Sequence, residues 1–374
     1  MGNSIRFLTV RGIAIRMHLT FPLILVWAAV QFGLLANRGL AGAIFGVLVT
    51  LLLFAIVLLH ELGHSFAAQY YGVTVKQIVL LPIGGVAQLA EIPEKPIQEF
   101  VIAIAGPLVN FALAFLMLFV GLIFGQSIGL ADPSALLTNM FELTTSSVFT
   151  YVFGANIFLG LFNLIPAFPM DGGRVLRAIL ASRMNYTRAT VIAASVGQSL
   201  ALMLGLWGFL GGGFFMILIA IFIYMGAGGE RQTVQVRRAL EGLTVAQAFS
   251  REAQSLSPQS TVQDAVNLTL STFQADFPVC DDEQLVGLLT YNRLVQALDR
   301  HGPDTLVEKV METEFEPVRP DEPMFAVQQR LAEKKLDALP VVDSGQFLGL
   351  ITNRDINELY RLASSQPDLI AAPN

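Results

Sequence analysis

Four histidines occur in the chain, and two of them stand four residues apart in His60-Glu61-Leu62-Gly63-His64. On a helix, positions i and i+4 share a face and lie about 6 Å apart. Two imidazoles so placed can reach one zinc ion, and Glu61 can hold a proton beside an activated water, the zinc-hydrolase pattern H-E-x-x-H. The same five letters also arise by chance on exposed helices of soluble proteins. Here they follow an unbroken apolar run, Leu51 to Leu59. Ionisable groups inside such a run are costly and default to a functional reading.

A catalytic zinc takes three protein ligands and leaves a fourth position open. The apolar half offers few candidates for the third. His18 precedes the first apolar stretch, Glu142 falls on the opposite side of the membrane, and Glu91, Glu94 and Glu99 stand in a polar loop. Asp171 ends the stretch Asn163-Leu164-Ile165-Pro166-Ala167-Phe168-Pro169-Met170-Asp171-Gly172-Gly173. Pro166 and Pro169 break a helix, and the glycine pair lets the chain turn tightly. A carboxylate in such a break can point into a helix bundle; a simple helix-ending turn is the other reading.

The elements that must position these residues follow from composition. The chain has 374 residues, of which 54% are hydrophobic and 14% charged, where soluble domains carry about a quarter charged residues. That excludes a disordered chain and an ordinary soluble enzyme. Residues 1–229 hold ten Lys/Arg and seven Asp/Glu; residues 230–374 hold 13 and 22. An apolar half is thus joined to an acidic, soluble-looking half, and the acidity disfavours a nucleic-acid partner. The single cysteine, Cys280, excludes an internal disulfide and a cysteine-built metal site.

Charge-free stretches between Arg16 and Glu230 are long enough for six membrane helices of about 20 residues each. They predict spans near 19–37, 42–71, 98–125, 145–166, 190–209 and 212–229. With a cytoplasmic N-terminus, the inner side holds Arg6, Arg11, Arg16, Lys76, Lys95, Arg174, Arg177, Arg183 and Arg188, and the outer side only Arg38. The positive-inside rule selects that orientation. It puts both termini in the cytoplasm, residues 126–144 outside, and His60, His64 and Asp171 toward the inner face. Val73–Ala90, β-branched around Pro82 and Gly84-Gly85, reads as a hairpin or a loop along the membrane face. Residues 174–185 read as a short amphipathic helix on the inner surface.

The acidic half contains a repeat. Phe277-Pro278-Val279-Cys280-Asp281 matches Leu339-Pro340-Val341-Val342-Asp343, and Val286-Gly287-Leu288-Leu289-Thr290 matches Leu348-Gly349-Leu350-Ile351-Thr352, both at an offset of 62. Each unit reads helix, strand, strand, helix. Two units cannot form a solenoid, so they pair into one α/β module.

H-E-x-x-H in one span and N-x-x-P-x-x-P-x-D-G in a later one resemble the site-2 protease family of intramembrane zinc metalloproteases. Gly106-Pro107-Leu108-Val109-Asn110 and Gly12-Ile13-Ala14-Ile15-Arg16-Met17-His18 fit the same family. The resemblance implies that His60, His64 and Asp171 bind one zinc ion, and that Glu61 is the general base. It implies substrates that are transmembrane segments of other proteins. Asn110 and Asn163 are candidates for lining the site or binding unwound substrate, or are plain helix-packing amides. Gly84 and Gly85 fall where the family has a loop that contacts substrate as an added strand. The repeat resembles a pair of cystathionine-β-synthase (CBS) domains. Gly349-Leu350-Ile351-Thr352-Asn353-Arg354-Asp355 fits their G-h-h-T-x-x-D pattern, which implies Thr352 and Asp355 as contacts to ATP, ADP or AMP. In the first unit Arg293 replaces the aspartate. A dimerisation module without ligand is the alternative for the tail.

The expected fold is a polytopic α-helical membrane domain with six transmembrane helices, followed by a soluble α/β tandem CBS module. The expected divisions are 1–229, a linker 230–242, and 243–374, with units at about 243–303 and 304–363. The expected function is intramembrane proteolysis in the plasma membrane, regulated by adenine nucleotide, with the CBS pair as a route to homo-oligomers. A CBS-regulated transporter or channel would explain the spans and the tail, but not the paired motifs. A catalytically dead binding protein would be expected to have lost His60, Glu61 or His64.

Overall fold

The computed structural model describes residues 4–82, 84–89, 93–125, 144–251, 253–272, 274–282, 284–334 and 336–365. The expected outer loop, with Glu142, and the candidate Glu91 lie outside these residues, apart from Thr144 at the loop's end. The chain divides into two compact units, Gly2–Gln232 and Thr233–Asn374.

The first unit opens with a sheet. Strands β1 (Ser4–Val10) and β2 (Ile13–His18) form a hairpin over Arg11 and Gly12, both at positive φ. β2 then runs parallel to β3 (Val75–Leu81), which turns back into β4 (Gly84–Leu89). The hairpin expected over Val73–Ala90 is therefore present, but it is half of a four-stranded sheet, β1-β2-β3-β4. The missed half has a sequence signal: Ile13 and Ile15 alternate with Ala14 and Arg16, and both isoleucines are fully buried. Ile13, Val75 and Ile78 pack on Leu62 and Ile102, so the sheet is seated where the histidine pair lies.

Helices occupy all six expected spans. Four are long and apolar enough to cross a membrane: α2 (Gly39–Tyr70), α3 (Pro96–Ile123), α6 (Tyr186–Leu210) and α7 (Phe214–Ala239). The other two are shorter. α1 (Phe21–Ala29) continues as a π-helical turn to Leu35, and α4 (Thr145–Asn163) has 19 residues. α6 and α7 separate at Gly211–Gly213, where Gly212 has φ +69°. α7 is helical through the first ten residues of the expected linker.

α3 packs against α2, α4 and α5 (Asp171–Ala181). Small residues permit the close crossings, as membrane bundles require. A Cβ on Gly63 would meet Val109 Cγ2 at 2.8 Å and Ala105 O at 3.0 Å, and one on Gly160 would meet the Phe111 ring at 3.0 Å.

α5 covers most of the amphipathic helix expected over 174–185 but differs from it in two respects. It begins at Asp171, and Arg177 is fully buried. Arg177 Nε donates to Glu99 Oε1 of α3 at 2.7 Å, and Nη1 donates to Glu230 Oε1 of α7 at 2.5 Å. Its guanidinium also lies 4.9 Å from the ring centres of Phe168 and Tyr186. A buried cation is tolerated only when paired and hydrogen-bonded. These partners come from three different helices and the loop before α5, so the pattern of residues 174–185 alone could not foretell them.

In the second unit, the repeat holds residue by residue. Hairpins β5–β6 (Phe277–Asp281, Gln284–Leu289) and β7–β8 (Ala338–Asp343, Gln346–Thr352) carry the same bulge, at Val279/Cys280 and at Val341/Val342. Each hairpin is flanked by helices: α8 (Val262–Thr272) and α9 (Tyr291–His301), then α10 (Met324–Lys334) and α11 (Asn353–Ser365). Short segments at the edges of the two units pack in a shared way near the expected division at 303/304. Leu240, Leu243 and Val245 pack with Val318 to Leu359, while Val307 packs with Leu256 to Ala297. Ser250 bridges to Leu350, and Glu312 to Leu288.

Removing Arg177 alone leaves two carboxylates facing each other without their cation. Arg177→Met is expected to destabilise the folded protein by about 3–5 kcal/mol. Adding Glu99→Gln and Glu230→Gln should recover most of that loss, because the uncompensated charge is then gone. Denaturation of the detergent-solubilised variants checks both outcomes.

Candidate metal centre

His60 and His64 lie in the last third of α2, one turn apart, and both are buried. Their rings meet edge to face, with centroids 4.7 Å apart. Asp171 reaches them from the first turn of α5. The loop between α4 and α5 delivers it, and the glycine pair has a different purpose from a tight turn. Neither Gly172 nor Gly173 is at positive φ; both are helical. A Cβ on Gly172 would collide with the carbonyls of Leu164 and Ile165, and one on Gly173 would lie 2.6 Å from Phe168 N. The glycines let residues 164–168 fold down onto the helix that carries Asp171.

The three side chains converge on one point. His60 Nε2 and His64 Nε2 lie 3.2 and 3.1 Å from Asp171 Oδ2, and 3.1 Å from each other. A tetrahedral zinc ion with bonds of about 2.0–2.1 Å would space its ligands about 3.3–3.4 Å apart. The donor set, two imidazole nitrogens and a carboxylate oxygen, fits such an ion in kind and spacing. A cation between them is what allows lone pairs and a carboxylate to face one another away from water. Among the described residues, no other cluster of three such groups occurs.

The outward nitrogens are also held. His64 Nδ1 lies 2.6 Å from Ile102 O, and His60 Nδ1 lies 2.5 Å from Asn110 Oδ1. A carbonyl oxygen accepts, so His64 Nδ1 carries the proton and its Nε2 is free to ligate. Gly106 of α3 closes the floor of the site. A Cβ there would fall on His64 Nε2 and lie 2.8 Å from His60 Cε1.

Glu61 faces β4. Its Oε2 accepts the backbone N–H of Ala87 at 3.2 Å, and a Cβ on Gly85 would sit 2.9 Å from its Cγ. β4 is an edge strand of the sheet. Gly84 and Gly85 therefore begin the strand that flanks the carboxylate. The two asparagines differ. Asn110 is fully buried against His60, whereas Asn163 Nδ2 donates to Leu159 O of its own helix at 3.0 Å. A further asparagine, Asn156, donates to Val152 O and accepts from Asn110. No motif flagged it; its only signal is a polar residue in the apolar stretch of α4.

In the second unit, Thr352 and Asp355 stand together at the start of α11. Thr352 donates to Asp355 Oδ2 through its N–H (2.9 Å) and its Oγ1 (2.7 Å), and Asp355 N–H returns a bond to Thr352 Oγ1 at 3.2 Å. The pair is a reciprocal helix cap. In the first repeat, Thr290 Oγ1 accepts from Arg293 N–H, and Arg293 is paired with Glu312.

Comparison with known proteins gives the family. Residues 48–204 match Peptidase family M50, and residues 245–300 and 307–361 each match the CBS domain. A zinc metalloprotease of Methanocaldococcus jannaschii is 35% identical over 356 residues, covering 95% of this chain and 96% of its own. Stage IV sporulation protein FB of Bacillus subtilis is 31% identical over 183 residues, 49% of this chain and 54% of its own. Among solved structures, a site-2 protease from M. jannaschii is 41% identical, with a TM-score of 0.45, covering 61% of this chain and 95% of that one. Kinship over nearly the whole length decides the family: the chain belongs to Peptidase family M50, the site-2 protease group of zinc metalloproteases, and carries a CBS pair behind its protease domain.

Proposed function

We propose that this metalloprotease hydrolyses peptide bonds within or near the transmembrane segments of other membrane proteins. The observation that carries the reading is the convergence of His60, His64 and Asp171 to 3.1–3.2 Å, with Glu61 beside them, between apolar helices. His60, His64 and Asp171 would hold zinc, which would supply Lewis acidity toward a water and the scissile carbonyl. Glu61 takes the water's proton. Its Oε2 is held by Ala87 N–H, so Oε1 is the free acceptor. The hydrogen bond to Ala87 fixes that carboxylate beside β4, an edge strand to which an unwound substrate can align. Substrate must unwind, because a helical peptide bond hides its carbonyl.

Six apolar segments, four of full spanning length, and the Lys/Arg bias of the sequence support six crossings of the plasma membrane with both termini cytoplasmic. The CBS pair binds an adenine nucleotide at Thr352 and Asp355 and adjusts cleavage, or joins two chains. Asp355 already caps α11 through Oδ2, so a ribose hydroxyl would use Oδ1.

Purified full-length protein is expected to hold one zinc per chain. Glu61→Gln should keep the metal and slow cleavage of a co-purified membrane substrate by about 100- to 10,000-fold. Gly106→Ala should lose both, because its methyl group occupies the ligand position. Elemental analysis beside the cleavage assay decides; full activity in Glu61→Gln contradicts the mechanism.

Two further outcomes test the rest. A thiol probe at Ser364, with Cys280 replaced, should stay unlabelled from outside intact cells. Asp355→Asn keeps an acceptor for the cap and removes the charge. It should weaken ATP, ADP or AMP binding about tenfold, by calorimetry on the full chain, since bonds to charged groups are about twice as strong as neutral ones. If none of the three binds at all, the tail is an assembly module.

A further inference from the structure

One of the two histidines is oriented by a backbone carbonyl, the other by a side-chain amide. His64 Nδ1 meets Ile102 O, which can only accept. His60 Nδ1 meets Asn110, and an amide can present either its oxygen or its nitrogen. Presented with the nitrogen, His60 would accept at Nδ1 and carry its proton on Nε2, the atom that faces Asp171 and His64. Such a histidine could not ligate a metal. Something must therefore fix which way Asn110 points.

The fixed point lies two residues further out. Val152 O, a backbone carbonyl of α4, can only accept, so Asn156 must present Nδ2 to it, at 2.8 Å. That turns Asn156 Oδ1 toward Asn110, whose Nδ2 donates to it at 3.1 Å. Asn110 Oδ1 is then left for His60, at 2.5 Å. Each link has one polarity once Val152 O is given, and the last link puts the proton on His60 Nδ1. Both asparagines have 0% exposure, so bulk water does not compete for any of these bonds.

We propose that Asn156 is a positioning residue for the metal centre: acting through Asn110, it holds His60 in the Nδ1–H form with Nε2 bare. This rests on the metal reading above. The alternative is an amide that only fastens α4 to α3. That role would affect stability and leave the histidine and the metal untouched.

The test uses the full-length protein in detergent with two readouts. Zinc affinity is measured by competition with a chelator. The histidine tautomer is read from 15N shifts of zinc-free protein labelled at its four histidines. Asn156→Leu is expected to weaken zinc about tenfold or more, the size of effect known for partners of metal-bound histidines, and to leave His60 a mixture of tautomers. Because Asn156 acts through Asn110, the double variant Asn110→Leu/Asn156→Leu should bind zinc no more weakly than Asn110→Leu. Asn156→Asp should restore tight binding, since its protonated acid can donate to Val152 O and still accept from Asn110. If Asn156→Leu fails to fold, Asn156→Ser, too short to bridge, takes its place. Unchanged affinity and a pure Nδ1–H signal in a folded variant would overturn the proposal, and so would independent, multiplicative losses in the double variant. A wild type that takes up no zinc, yet shows the predicted tautomer change, would count against the metal reading and not against the role of Asn156.

Discussion

Inside an apolar bundle every polar group must find its partner within the protein, and the architecture of the membrane unit follows from that constraint. Two imidazoles and a carboxylate cannot be brought together there unless a cation neutralises them on one side and hydrogen bonds satisfy them on the other. α3 meets the second demand and makes room for the first. It contributes the Ile102 carbonyl and Asn110 behind the histidines and removes the side chain at Gly106 where their rings must lie. The small residues along α2 and α3 are the geometric condition for this, because a single methyl group at residue 106 would fill the ligand position.

The same constraint explains why the carboxylate ligand and the buried arginine share one short helix. α5 carries Asp171 in its first turn and Arg177 about two turns on. Arg177 is joined to α3 through Glu99 and to α7 through Glu230. The ion pairs hold the far end of α5 while the glycines hold the near end against residues 164–168. Asp171 is thereby fixed from both sides, which a metal ligand donated by a loop-helix junction requires.

The chemistry was legible in the sequence because it is short-range. His60, Glu61 and His64 are related by helical spacing, and Asp171 is announced by two prolines and two glycines that make little sense in an ordinary span. The tail was legible because it is repeated at an offset of 62, down to matching bulges. What could not be read is what depends on several helices at once. Arg177 looks like one of several lipid-surface arginines until Glu99 and Glu230 are placed around it. Asn156 has no periodic or motif signature, and its role appears only when α4 is laid beside α3. The parallel pairing of β2 with β3 joins residues some 60 positions apart, and strand alternation alone does not reveal it. The glycine pair was read as a tight turn and instead serves close packing, since a sequence does not tell positive φ from close approach.

The zinc centre proposed at His60, His64 and Asp171 is open to direct measurement. X-ray absorption at the zinc edge, on purified full-length protein, tests it most directly. The expected result is one zinc per chain with only nitrogen and oxygen neighbours at about 2.0–2.1 Å, the multiple-scattering signature of two imidazoles, and loss of the signal in Gly106→Ala. A zinc-free protein, a sulfur neighbour from Cys280, or a spectrum unchanged when Asp171 and His64 are both replaced would contradict it.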